Sequence, residues 1–169
     1  MPFTLFHFGP ALLILSLSLF LDPLALFLGS ITVDFEGILG LFFGHDVFFQ
    51  NCGSSCNLHG PLHSLLGGTI VAVLLAITII IVSKRIPKKL RGSLLLKNEK
   101  IILASSFLGV YSHLFLDSFL YPEMNLAWPL GYWNPLFGAI GSFEIYSFCA
   151  LAFVLGAGLM LVRKLKKNI

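Results

Sequence analysis

Residues 8–33 read FGPALLILSLSLFLDPLALFLGSITV, and two folds compete for them. As one helix, the run is long enough to cross a bilayer, which takes about 20 apolar residues. It would then put His7 and Asp34 on opposite sides. Leu21-Asp22-Pro23 argues for the other fold. Asp is a strong N-cap, and Pro suits the first helical position. We therefore read a helical hairpin over 8–33, with short antiparallel helices at 8–20 and 23–32. Each is roughly 15–20 Å long at a rise of about 1.5 Å per residue. A hydrocarbon core is about 30 Å thick, so neither helix crosses it. Such a hairpin is re-entrant, or it packs into a bundle where its backbone ends find partners. It also brings His7 and Asp34 to the same side.

The rest of the chain supplies that bundle. Of its 169 residues, 57% are hydrophobic and 11% are charged. Soluble domains average about 45–50% apolar and roughly 25% charged. With a mean hydropathy of +0.92, the sequence predicts an all-α polytopic membrane bundle, a single domain over 1–169. Transmembrane helices are predicted at 64–83, 101–121 and 136–162. Residues 37–63 read as an outer loop or interfacial segment. All eleven Lys and Arg fall within the loop 84–100 or the tail 163–167. The positive-inside rule then makes both segments cytoplasmic and puts the N-terminus outside. No Lys or Arg precedes the first apolar run, so the basic start of a cleaved signal is not expected.

The basic runs suit anionic lipid headgroups. Nucleic acid is not an expected partner, because no soluble fold or aromatic platform accompanies them. Trp128, Tyr132 and Trp133 fit an aromatic belt at headgroup depth. Cys52 and Cys56 could form a local disulfide in an outer loop, or bind metal, for which two thiols are a weak signal. Cys149 reads as packing.

The remaining ionisable residues fall mostly at the predicted outer level. Such groups cost several kcal/mol in hydrocarbon unless paired, which makes them functional candidates. His113 and Asp117 stand four apart and share one helix face. A structural His–Asp hydrogen bond would also explain that pair. His59 and His63 have the same spacing, with Pro61 between them. Pro is tolerated only in a first turn, so the helix is expected to begin near Gly60–Pro61. His63 would then lie in its first turn, where the dipole favours the neutral ligand form. His59 alone reads equally as a loop histidine. Asp34 and Glu36 are paired carboxylates at the end of the hairpin. Asp22 reads as a cap, His45-Asp46 as loop, and Glu144 as structural. The His and carboxylate groups form a donor set for Zn²⁺ or another hydrolytic metal. Their number exceeds the need of one ion, so either two ions bind or some groups orient ligands or act as a base.

Four blocks in order, PFTLFHFGPALL, VDFE, HGPLHSLLGG and GVYSHLFLDSFLYPEMNLAWPL, resemble the YdjM-type family of prokaryotic inner-membrane proteins, described as metal-dependent hydrolases. Carried over by position, the resemblance implies His7, Asp34, Glu36, His63, His113 and Asp117 as metal-site residues. It also implies two N-terminal helices joined by a turn. One spacing differs. The family often sets its earlier histidine five residues before the one matched by His63, where this chain has Leu58, and the Arg and Thr of that block are absent. His63 is thus the match, and His59 stands outside the pattern.

The expected function is metal-assisted hydrolysis of an ester or phosphoester, with Glu36 or Asp34 as base. The metal ligands would come from His7, Asp34, His59, His63, His113 and Asp117, around one or two ions, with Zn²⁺ the expected metal. A site at headgroup depth makes a lipid or lipid-linked substrate the natural expectation. Two alternatives remain: a non-catalytic membrane protein with a structural metal, and a metal or proton transporter. A transporter would need a polar path across the membrane, and residues 70–82 and 151–162 offer almost none.

Overall fold

A computed structural model describes residues 4–18, 20–38, 59–87, 89 and 96–167. Their secondary structure is entirely helical. The Cys52/Cys56 pair, His45-Asp46, Leu58, most of the segment 37–63 and part of the segment 84–100 lie outside the described residues.

The hairpin forms as Asp22 and Pro23 require. A single 3₁₀ turn, Thr4–His7, leads into α1 (Phe8–Leu17), and α2 spans Pro23–Thr32. The first helix ends at Leu17, three residues short of the expected boundary, where the extended Ser18 breaks the repeat. Asp22 Oδ1 accepts the Ala25 N–H at 2.8 Å, and Pro23 opens α2. Asp22 does more than cap. Its Oδ2 accepts the Lys97 N–H at 2.8 Å, and its own N–H donates to Ser105 Oγ at 2.8 Å. The fully buried carboxylate therefore ties the hairpin turn to the start of the next-but-one helix. Asp22→Ala removes the cap and leaves a buried N–H without its acceptor. It should cost about 2–4 kcal/mol, measurable as a lowered thermal midpoint in detergent.

Among the described residues, three helices are long and apolar enough to cross a membrane: α3 (Leu65–Arg85), α4 (Glu99–Leu120) and α5 (Ser142–Lys167). Ser64 and Asn98 cap α3 and α4 through their side-chain oxygens. The expected span 136–162 is corrected. Residues 136–141 form turns, with Gly138 at φ +72°, and the helix runs from Ser142 to Lys167. The apolar residues of 136–141 fooled hydropathy, which cannot register a left-handed glycine. Gly138 N–H instead donates to Phe119 O, docking this turn on the end of α4. Asn134 Nδ2 donates to Ser118 O and Tyr121 O, closing the same helix end.

Of the three long helices, α4 is the central one: 56% of its apolar window is buried, against 28% in α3 and 22% in α5. Helix α4 packs on both α2 and α3, which also touch each other, while α1 packs on α5. The short hairpin is thus wedged between α4 and α5. Small residues let α2 approach α4 closely. A Cβ on Gly109 would lie 2.4 Å from Leu26 O, and one on Gly29 would lie 2.8 Å from Ser106 O. Two apolar clusters fill the layer between α2, α3 and α4, one around Ala25, Ala76 and Ile102, the other around Val33, Val71 and Leu114. Cys149 sits in a third cluster with Leu116, Phe119 and Ile145. Trp128, Tyr132 and Trp133 are all exposed in the segment after α4. Glu144 is exposed in the first turn of α5, where its charge complements the helix dipole.

Candidate metal centre

The hairpin sets its two ends beside the C-terminal half of α4. That places His7 before α1, Asp34 and Glu36 after α2, His59 and His63 before α3, and His113 and Asp117 on α4 in one region. Within it, one ligand atom from each of Asp34, His63, His113 and Asp117 lies within 4.8 Å of all the others. This group could hold a metal ion. His63, His113 and Asp117 are buried, and Asp34 is half-buried.

The imidazole hydrogen bonds show which nitrogens are available. His113 Nδ1 lies 2.8 Å from Ser30 O. A carbonyl only accepts, so Nδ1 carries the proton and donates it. In the neutral ring, Nε2 then presents its lone pair. Nε2 is 3.3 Å from Asp34 Oδ1 and 3.2 Å from Asp117 Oδ2. His63 repeats the pattern: Nδ1 donates to Glu36 Oε2 at 2.7 Å, and Nε2 lies 3.8 Å from Asp34 Oδ1. Both Nε2 atoms and Asp117 Oδ1 are buried without a hydrogen-bond partner. Buried polar atoms are rarely left so. An acceptor that holds one ring N–H while the opposite nitrogen faces carboxylates is how metal-binding imidazoles are oriented. The residues present therefore fit a divalent metal.

His63 is corrected in one respect. Pro61–His63 is a separate 3₁₀ turn, and α3 begins only at Leu65 after the extended Ser64. Pro61 starts that turn rather than the long helix, so His63 is positioned by its neighbours and not by the dipole of α3. The main neighbour is Glu36, fully buried. Its Oε1 accepts the Leu62 N–H at 2.9 Å, and its Oε2 accepts the Gly60 N–H at 2.9 Å as well as the His63 Nδ1–H. Sequence reading offered Glu36 as a base. Here both of its oxygens are occupied in holding the 60–63 turn.

His59 and His63 do not form a two-histidine clamp. Their rings meet edge to face at 4.6 Å. His59 Nε2 instead lies 3.5 Å from Asp117 Oδ2, and Nδ1 lies 3.1 Å from Glu123 Oε1. Burial opposes a charge on His59, but Asp117 and Glu123 outweigh it and raise its pKa. His59 in turn lowers the pKa of Glu123. His7 stacks on His113 with ring centroids 3.9 Å apart, and its Nε2 lies 3.2 Å from Asp117 Oδ1. Sequence reading gave Glu123 no role. Its only local signal was an acid just past the end of a helix whose last turns carry His113 and Asp117.

Leu5, Phe6 and Gly9 line an apolar groove of about 370 Å³ with Cys149, Phe153 and Val154 of α5. Comparison with family models, with curated proteins and with solved structures finds no match to the chain.

Proposed function

We propose that the chain is a membrane-embedded metal-dependent hydrolase of the YdjM type, acting on an ester or phosphoester of a lipid or lipid-linked substrate. The observation that carries this reading is the pair of Nε2 atoms on His63 and His113, each aimed at carboxylates with its opposite nitrogen engaged. Nitrogen and carboxylate donors suit Zn²⁺ better than Ca²⁺ or Mg²⁺, which prefer all-oxygen sets. His63, His113 and Asp117 would supply three protein ligands, the number found in catalytic sites. When bound, the metal supplies Lewis acidity and lowers the pKa of water to about 7.

The chain's own groups provide the rest. Asp34, the most exposed of the four, would accept the proton of the attacking water and return it to the departing oxygen. Glu36 holds the Nδ1 proton of His63 and, through the 60–63 turn, its ring position. The positive-inside rule orients the site toward the outer face of a prokaryotic cytoplasmic membrane, since the basic segments lie at the other end of α3 and α5. The apolar groove lined by Phe6 and Gly9, on either side of His7 in the chain, would suit an acyl chain.

A transporter reading is weaker. The one other buried carboxylate among the described residues is Asp22, at the far end of α4, with both oxygens occupied. Metal analysis of the purified protein without chelators tests the proposal. Wild type should carry metal, and His63→Ala should lose it. A metal-free wild type overturns the reading. Bound metal with no hydrolysis of lipid esters or phosphoesters would favour a structural metal instead.

A further inference from the structure

We propose that a second divalent cation binds beside the first, held by His7 and His59 and joined to it through Asp117. The inference rests on the metal reading above and extends it to a two-ion centre. Asp117 has more partners than one ion explains. Its Oδ2 faces His113 and His59 at 3.2 and 3.5 Å, while its Oδ1 faces His7 at 3.2 Å. A carboxylate can be shared by two ions, and here Oδ1 faces His7 alone while Oδ2 stands between His113 and His59.

Each extra histidine carries its own sign of a missing ligand. His59 has a carboxylate behind its Nδ1, Glu123 at 3.1 Å, as His63 has Glu36 at 2.7 Å. That arrangement sets the tautomer and turns Nε2 toward Asp117. His7 is 2% exposed, and both of its ring nitrogens are buried without a hydrogen-bond partner. Leaving such a group unsatisfied costs about 1–3 kcal/mol, and a cation between His7 Nε2 and Asp117 Oδ1 removes that cost at Nε2.

Charge counts the same way. Asp34, Glu36, Asp117 and Glu123 bring four negative charges into the cluster. No Lys or Arg occurs in residues 1–83 or 101–162 to balance them. With the imidazoles neutral, as metal ligands must be, one divalent cation offsets two of these charges and two cations offset all four. Two imidazoles and a carboxylate would suit a first-row ion such as Zn²⁺ or Co²⁺.

The test is titration of metal-stripped protein in detergent with Co²⁺ and with Zn²⁺, read by bound metal per chain and by the Co²⁺ visible spectrum. Wild type should saturate at two equivalents. His7→Gln should saturate at one, and Glu123→Gln should weaken the second equivalent about 10–100-fold while leaving the first unchanged. Saturation of wild type at one equivalent overturns the second ion and leaves the first. No binding at all overturns both readings. Two equivalents at wild-type affinity in both variants overturns the assignment to His7 and His59. Metal-free variants should melt with wild-type cooperativity, so that a lost equivalent reports the site and not unfolding.

Discussion

Asp117→Asn is expected to weaken metal binding by at least about two orders of magnitude. Four-ligand structural zinc sites bind with roughly 10–16 kcal/mol, so one ligand is worth about 3 kcal/mol, or roughly 100-fold. Asp117 should exceed that share, because three histidines converge on it: His7, His59 and His113. Asparagine keeps the shape but loses the charge. It also replaces one acceptor with an N–H₂ group that cannot bind a cation. A chelator-competition titration measures the loss. Wild-type affinity in Asp117→Asn would refute Asp117 as a ligand.

The second large effect belongs to Glu36, and it separates two roles. If Glu36 were the catalytic base, Glu36→Gln would abolish turnover and leave stability and metal affinity near wild type. The structure predicts otherwise. Glu36 accepts hydrogen bonds from Gly60 N, Leu62 N and His63 Nδ1, all around a fully buried carboxylate. Glutamine can satisfy only one side of that set, and its own N–H₂ then faces another donor. Breaking a buried, charge-assisted set of this kind costs about 3–5 kcal/mol. The loosened His63 ring should cost a further 10–100-fold in metal affinity. Thermal melting of metal-free protein and metal competition, measured together, distinguish the roles. A Glu36→Gln protein of unchanged stability and affinity would return Glu36 to the role of base.

Much of the architecture was legible because its signals are local. Asp22-Pro23 announced a helix start inside an apolar run, and the hairpin followed. His113 and Asp117 were read as neighbours because a spacing of four fixes a shared helix face, and they meet at 3.2 Å. Hydropathy found the three long helices, but it misplaced the start of the last by counting 136–141 as helix. Apolar content says nothing about a left-handed turn at Gly138.

The site divides along the same line. The amino-acid sequence by itself determined which residue types gather at one end: histidines and carboxylates, with every Lys and Arg kept to the basic segments. It also determined the hairpin that makes the gathering possible, through a cap and a proline acting within a few residues. Only the tertiary structure decided the roles. Glu36 proved to be the support of a turn 24 residues later. His59 turned from His63 toward Asp117 and Glu123, and Glu123, which lacks any motif of its own, became its partner. A role of this kind depends on which lone pair faces which proton across distant segments. Periodicity and capping act over a turn or two of helix, whereas these pairings are set by how α2 and the 59–63 segment pack against α4.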